Sequence, residues 1–239
     1  MPDYRPLFYS KYKTILEEKS QEYDLGAINQ LRMRWQEHLP KDKNAHILDI
    51  GCGEGYFLRM LKQSGYGTLS GVDLDNAQVE QAKAAGLESV FCQDALSYLA
   101  GAQSKYDLIC AFNFFEHLTK EEVLTLLQSV SDALRPGGKL LALTPNGLSP
   151  FSGSTRYWDF SHELSYTPSS WRQLSKWAGF SAVEFEEFGP MRFTLIGKAR
   201  SIGWTFIRLI IDGISYIEVA RCRDSSRCYT ADMKIILTR

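Results

Sequence analysis

The chain has 239 residues, 44% of them hydrophobic and 23% charged, which places it in the globular range with one main domain and one substantial core. Its five cysteines, Cys52, Cys92, Cys110, Cys222 and Cys228, are odd in number and lack paired C-x-x-C spacing, arguing against a disulfide framework or a zinc site and for a reducing compartment. The net charge of −1 hides a basic end: residues 189–239 hold nine Lys/Arg against four Asp/Glu, without the interleaved motifs of a nucleic-acid binder. The first residues, MPDYRPLFYSKYK, have no secretory apolar core, so cytoplasmic residence is the expectation.

Residues 10–39 are predicted helical, because Ile28, Leu31, Trp35 and Leu39 recur at three- and four-residue spacing before Pro40, and residues 1–40 form a cap ahead of the main fold. Strands at 46–50, 69–73 and 89–92 then alternate with helices at 55–64, 76–85 and near 95–100. YDLICAF at 106–112 is a buried strand, 121–134 an amphipathic helix, and 139–145 another strand, with Arg135-Pro136-Gly137-Gly138 as the turn between them. After a loop at 146–167 come a helix at about 168–178, a strand at 182–188 and a last strand at 233–239. Such alternation predicts an α/β fold on a parallel sheet. The expected domains are the cap, a main domain of 41–189 with 231–239, and an insertion at 190–230, with no internal repeat.

The first strand feeds a turn carrying Gly51, Gly53 and Gly55 that opens into a helix, the arrangement that lets backbone approach a ligand. The spacing D-x-G-x-G-x-G is neither the G-x-G-x-x-G of dinucleotide binders nor a Walker loop. Asp49, just before the glycines, repels a pyrophosphate and suits a cationic ligand. LDIGCGEG resembles the first motif of class I S-adenosylmethionine-dependent methyltransferases. The glycine turn, Asp73, Asp94, YDLICAF and LRPGGKLLALTPN follow that family's order over about residues 45–146. The resemblance implies a Rossmann-like, doubly wound seven-stranded sheet whose seventh strand runs antiparallel beside the sixth. It also implies S-adenosylmethionine as cofactor and S-adenosylhomocysteine as product.

In such a sheet ligands collect beyond the carboxyl ends of the strands where the order reverses. Asp73, ending the second strand, is placed to accept both ribose hydroxyls, with Leu74 on the adenine face. The resemblance gives Asp94 the adenine amino group, with Gln93 and Ala95 beside it, although Asp94 equally reads as a helix N-cap. Asp49, Gly51, Cys52, Gly53 and Gly55 form the cradle, and Phe112 and Asn113 are expected beside the methionine moiety. Arg32 or Arg34 reaching the methionine carboxylate competes with a solvated helix face.

Methyl transfer to a hydroxyl benefits from a base. The segment Tyr157-Trp158-Asp159-Phe160-Ser161-His162-Glu163-Leu164 mixes aromatics with Asp, His and Glu, a composition suited to sugars, and nominates His162 as base with Asp159 as its orienting partner. His117, at the start of the helix after the fourth strand, is the second candidate base. Asn113-Phe114-Phe115-Glu116-His117 is similar to the E-x-x-E-H of metal-assisted O-methyltransferases resembling ubiquinone-pathway enzymes, but Asn113 replaces the first acid, so no metal is expected. TPNG…RYWDFSHELSYTP resembles methyltransferases of surface-polysaccharide and lipopolysaccharide modification. The expected acceptor is accordingly a sugar hydroxyl of a surface glycan or its lipid- or nucleotide-linked precursor. A quinone- or phenol-type small molecule is the rival, and a noncatalytic cofactor-binding scaffold the reading from another class.

IGWTFIRLIIDGISYIEV, 202–219, is apolar almost all round, with Arg208, Asp212, Ser215 and Glu218 as a narrow polar stripe. Its internal charges argue against a transmembrane span. It is expected to pack on the sheet or on a second copy in a homodimer. The alternative is docking on anionic lipid at the inner face of the membrane through 198–227, where Lys198, Arg200, Arg221, Arg223 and Arg227 flank it.

Overall fold

The computed structural model describes residues 25–220 and 224–239. Its described helices are α1 (Leu25–Trp35), α2 (Tyr56–Gln63), α3 (Asn76–Ala84), α4 (Ala95–Leu99), α5 (Lys120–Ala133), α6 (Ser152–Arg156), α7 (Pro168–Trp177) and α8 (Leu195–Val219). The strands are β1 (His46–Ile50), β2 (Thr68–Asp73), β3 (Val90–Cys92), β4 (Tyr106–Phe112), β5 (Leu134–Pro145), β6 (Ala182–Glu187) and β7 (Asp232–Thr238). They form one sheet in the order β3-β2-β1-β4-β5-β7-β6, with β7 antiparallel to β6. This is the Rossmann-like, doubly wound arrangement expected from the alternation of elements.

Two compact units make up the chain, the first including 25–112, Gln128–Leu141 and Arg239, the second Asn113–Leu127 and Ala142–Thr238. In the first, β1 lies between β2 and β4, parallel to both, so its residues face helices on either side and read as an almost unbroken apolar run. Ile47, Leu48 and Ile50 are fully buried, as are Leu108 and Ile109 opposite them on β4. Gly71 on β2 admits α2 at close range: a methyl group there would stand 2.7 Å from Leu58 Cδ1 and 2.8 Å from Cys52 Sγ. Trp35, buried at the end of α1, packs on Phe112 with ring centroids 4.6 Å apart.

The second unit is built around Trp171 of α7, whose ring meets Phe115 and Tyr166 at 5.1 Å each. A capping box between Thr167 and Ser170, with Pro168 in the first turn, starts α7. Buried Asn146 ties the segment after β5 to the one before β7, its amide donating to the carbonyls of Cys228 (2.9 Å) and Thr230 (3.0 Å).

Four sequence expectations need correction. The strand β5 begins at Leu134, not 139, because Gly137 and Gly138 exchange backbone hydrogen bonds with Arg239 and draw the predicted turn into the strand. The 146–167 loop contains the short helix α6. His117 ends a 3-10 turn, Phe115–His117, rather than opening a helix. Helix α8 starts at Leu195, seven residues before the apolar run, because Thr194 caps it by accepting from Gly197 N at 2.9 Å. Of the predicted amino-terminal helix, 10–24 lies outside the described residues.

Candidate active site

The glycine turn of the first unit is held from below and from one side. Gly51 N and Cys52 N both donate to the Val72 carbonyl, at 2.8 and 3.1 Å, and Gly53 N donates to Asp73 Oδ2 at 2.8 Å. Gly53 and Gly55 have φ of +52° and +77°, and a Cβ on them would stand 2.7 Å from Gln78 Oε1 and 2.3 Å from Leu87 Cδ1, respectively, so no larger residue keeps this turn. Asp73 Oδ1 accepts from Asp75 N at 2.9 Å. Each carboxylate oxygen of Asp73 thus spends one lone pair on the backbone and keeps another for a ligand.

Asp49 is 3% exposed and accepts no hydrogen bond among the described residues. Burial, and then the neighbouring Asp73 carboxylate, holds its acid well above the ordinary range. Two acids together at a glycine turn suit a cationic ligand bearing hydroxyls and oppose a pyrophosphate. S-adenosylmethionine, with its sulfonium and ribose diol, fits that donor set.

Around this turn, Leu74, next to Asp73 in the chain, is 66% exposed, while Phe91, paired with Val72 on β2, stacks on Tyr98 with ring centroids 5.8 Å apart. Gln93 is exposed and extends the β2–β3 ladder through its N–H to Asp73 O. Asp94 is the N-cap of α4, with Oδ2 accepting from Ser97 N (2.9 Å) and Ser97 Oγ (3.1 Å), and Ala95 behind it is buried. The Phe112 ring is packed between Trp35 and Phe57. Arg32 donates to Ser64 Oγ at 3.2 Å, and burial lowers the Arg34 guanidinium.

In the second unit the 157–166 segment is pinned onto the 3-10 turn. Glu163 N and Leu164 N both donate to Glu116 O, at 2.8 and 3.1 Å, and Tyr166 Oη donates to Phe115 O at 2.9 Å. Asn113, exposed, adopts φ of +49° just before that turn. His117 and His162 come together, ring centroids 4.9 Å apart. Asp159, 4% exposed, accepts from Ser161 N (2.8 Å) and Ser161 Oγ (2.7 Å), while Ser161 Oγ lies 2.9 Å from His117 Nδ1. Asp159 is therefore linked through Ser161 to His117. Ser161 was the residue missed, although an Asp two positions before a Ser is a common local turn pattern.

The Ser161 hydroxyl donates to Asp159, which leaves Ser161 Oγ to accept from His117 Nδ1 when that nitrogen carries a proton, and the Asn113 backbone is a further hydrogen-bond partner of the ring. His162 Nδ1 faces the Thr155 carbonyl at 3.1 Å and donates to it. Burial foremost, then His162, lowers His117 to about 4, so it is neutral at physiological pH. Glu116 is 1% exposed, its Oε2 has no partner among the described residues, and burial raises it to about 8. Glu116, His117 and His162 offer ligand atoms within 4.8 Å of one another, a carboxylate and two imidazoles of the kind that hold a divalent cation. His162 is the member of that set which the sequence had not joined to the Glu116-His117 pair.

The methyltransferase domain family matches residues 22–184, more than half of the chain. The chain belongs to this family. Among relatives of the methyltransferase, the ubiquinone biosynthesis O-methyltransferase of Coxiella burnetii is 28% identical over 127 residues, 51% of this chain and 53% of that protein. The chain thus spans about half the length of the curated relatives it matches. A SAM-dependent methyltransferase from Archaeoglobus fulgidus superposes with a TM-score of 0.66 at 21% identity, covering 97% of this chain and all of that one. Phosphoethanolamine N-methyltransferase 2 of Haemonchus contortus, solved with S-adenosyl-L-methionine, superposes at 0.60 with 18% identity, covering 88% of this methyltransferase and 52% of that chain. These likenesses establish the SAM-dependent methyltransferase fold.

Proposed function

We propose that this methyltransferase moves a methyl group from S-adenosylmethionine to a hydroxyl oxygen. The observation that carries the reading is the Asp73 carboxylate, fixed by two backbone N–H groups beside a glycine turn and next to the buried, unbonded Asp49. Asp73 binds the ribose hydroxyls, Leu74 covers the adenine, and Asp94 serves the adenine amino group while capping α4. A bound cation favours ionisation of the Asp49 carboxyl, which burial and Asp73 otherwise hold toward its neutral form. When bound, S-adenosylmethionine supplies an electrophilic methyl on a cationic leaving group, so the chain's remaining task is to orient the acceptor oxygen and take its proton. His117 receives that proton, and Asp159 stabilises the resulting imidazolium through Ser161.

The acceptor class we favour is a sugar hydroxyl of a surface glycan or its precursor. Its support is Tyr157, Trp158 and Phe160, which are 81%, 73% and 77% exposed in the segment that also carries Asp159 and His162. Aromatic faces presented to solvent suit the C–H faces of sugars. The half-length likeness to ubiquinone biosynthesis O-methyltransferases supports a second reading, a phenolic acceptor. Incubation with methyl-labelled cofactor and a panel of glycans, nucleotide sugars and phenols separates them. Label in the sugars alone supports the first reading, label in phenols alone replaces it with the second, and label in none of them, with cofactor bound, points to a scaffold.

A further inference from the structure

The amphipathicity of α8 is inverted. The residues it buries are Gly197, Ser201 and Ser215. On the same face Trp204 Nε1 and Arg208 both donate to Glu187 at 3.1 Å, and Asp212 accepts from Tyr229 Oη at 2.7 Å and pairs with Arg227. At about 100° per residue these positions form one stripe, turned toward the protein. Gly197 fixes the approach: a Cβ there would stand 2.1 Å from Met191 O.

The opposite face is apolar and open. Leu195, Ile202, Phe206, Ile210 and Ile217 are 85%, 61%, 64%, 62% and 87% exposed. With Ile196, Ile207, Leu209 and Ile214, all exposed, the arc spans roughly 160° of the helix. A partner helix needs only a narrow seam of a and d positions, whereas a planar boundary is met by a broad arc. Exposed Lys198 and Arg200 stand on the two margins of that arc. Asp212 pairs with Arg227, Glu187 with Arg208 and Asp224 with Arg172; the exposed acid Glu218 stands on the margin of Arg200 about five turns further along, and residues 189–239 as a whole carry nine Lys/Arg against four Asp/Glu, so the net charge of this end is positive. No described helix is long and apolar enough to cross a membrane.

We propose that α8 lies in the headgroup region of an anionic bilayer, its apolar arc immersed and Lys198 and Arg200 among the phosphates. Polar anchoring on one side holds the helix to the protein while the other side enters lipid. The inference is independent of the reaction proposed above.

The test is co-sedimentation of the whole chain with phosphatidylcholine vesicles, pure or containing roughly one-third phosphatidylglycerol. Binding at least ~10-fold stronger to the anionic vesicles and weakened by salt is expected. Phe206→Glu with Ile210→Glu should reduce it ~10-fold or more, and Lys198→Glu with Arg200→Glu should abolish the preference for anionic lipid. All four positions are exposed, so unchanged thermal unfolding and S-adenosylhomocysteine binding verify the fold of each variant. Absence of vesicle binding overturns the proposal, as does binding that survives the Phe206/Ile210 pair. Equal binding to both vesicle types overturns the assignment of anionic lipid. Self-association in sedimentation velocity, lost in the Phe206/Ile210 variant without vesicle binding, assigns the face to a second copy instead.

Discussion

Asp159 and His117 are joined through one hydroxyl, Ser161 Oγ, at 2.7 Å from the first and 2.9 Å from the second. The link puts a buried carboxylate within reach of any charge the ring acquires, the logic by which acid–imidazole pairs orient a base.

His117→Ala should lower kcat by ~100-fold or more with S-adenosylhomocysteine affinity nearly intact, and Ser161→Ala should lower it by a smaller factor. His162→Ala should cost less than His117→Ala; the reverse ranking in steady-state kinetics returns the role of base to His162.

The pH profile offers a separate check. Because His117 is lowered to about 4, it stays unprotonated well below neutrality, and kcat/KM should be flat from about pH 5.5 to 7.5. An acid limb with its midpoint near 6.5, the ordinary histidine value, contradicts the assignment.

Glu116 makes stability depend on pH in a fixed direction. Its folded-state value of about 8 lies above the ordinary 4.5, so between these the unfolded chain is ionised while the folded one holds its proton, and stability drains away as pH rises through that window. His117, lowered, acts in the opposite sense only between about 4 and 6.5. In chelator-treated protein, Tm should therefore fall from about pH 6.5 to 8, and Glu116→Gln should flatten that fall. An identical slope in both proteins contradicts the buried, protonated acid.

Packing at β2 gives a prediction free of titration. Gly71→Ala forces a methyl within 2.7 Å of Leu58 Cδ1 and 2.8 Å of Cys52 Sγ, and should destabilise by ~1–3 kcal/mol in denaturant unfolding. An unchanged midpoint means that α2 is not held as closely as described.

What was legible in the sequence is what neighbours in sequence determine. The glycine turn declares itself because only glycine accepts its conformations, and Asp73 because a strand end followed by a helix fixes its place. Asp94 shows the limit of that reading: a carboxylate before a helix caps it whether or not it also meets a ligand, and the structure displays the cap. The relay was hidden because Ser161 and His117 lie 44 positions apart. The facing of α8 was hidden for a related reason. Periodicity says that a helix has two unlike faces, but which one turns inward depends on distant Glu187 and Tyr229.

The central claim is that the turn around Gly53 holds S-adenosylmethionine through Asp73. Calorimetric titration of the wild type and Asp73→Ala with S-adenosylhomocysteine tests it most directly. The expected result is saturable binding by the wild type, weakened ~10- to 100-fold in the variant by loss of charge-assisted hydrogen bonds. No heat with the wild type, or equal affinity in both proteins, would contradict it.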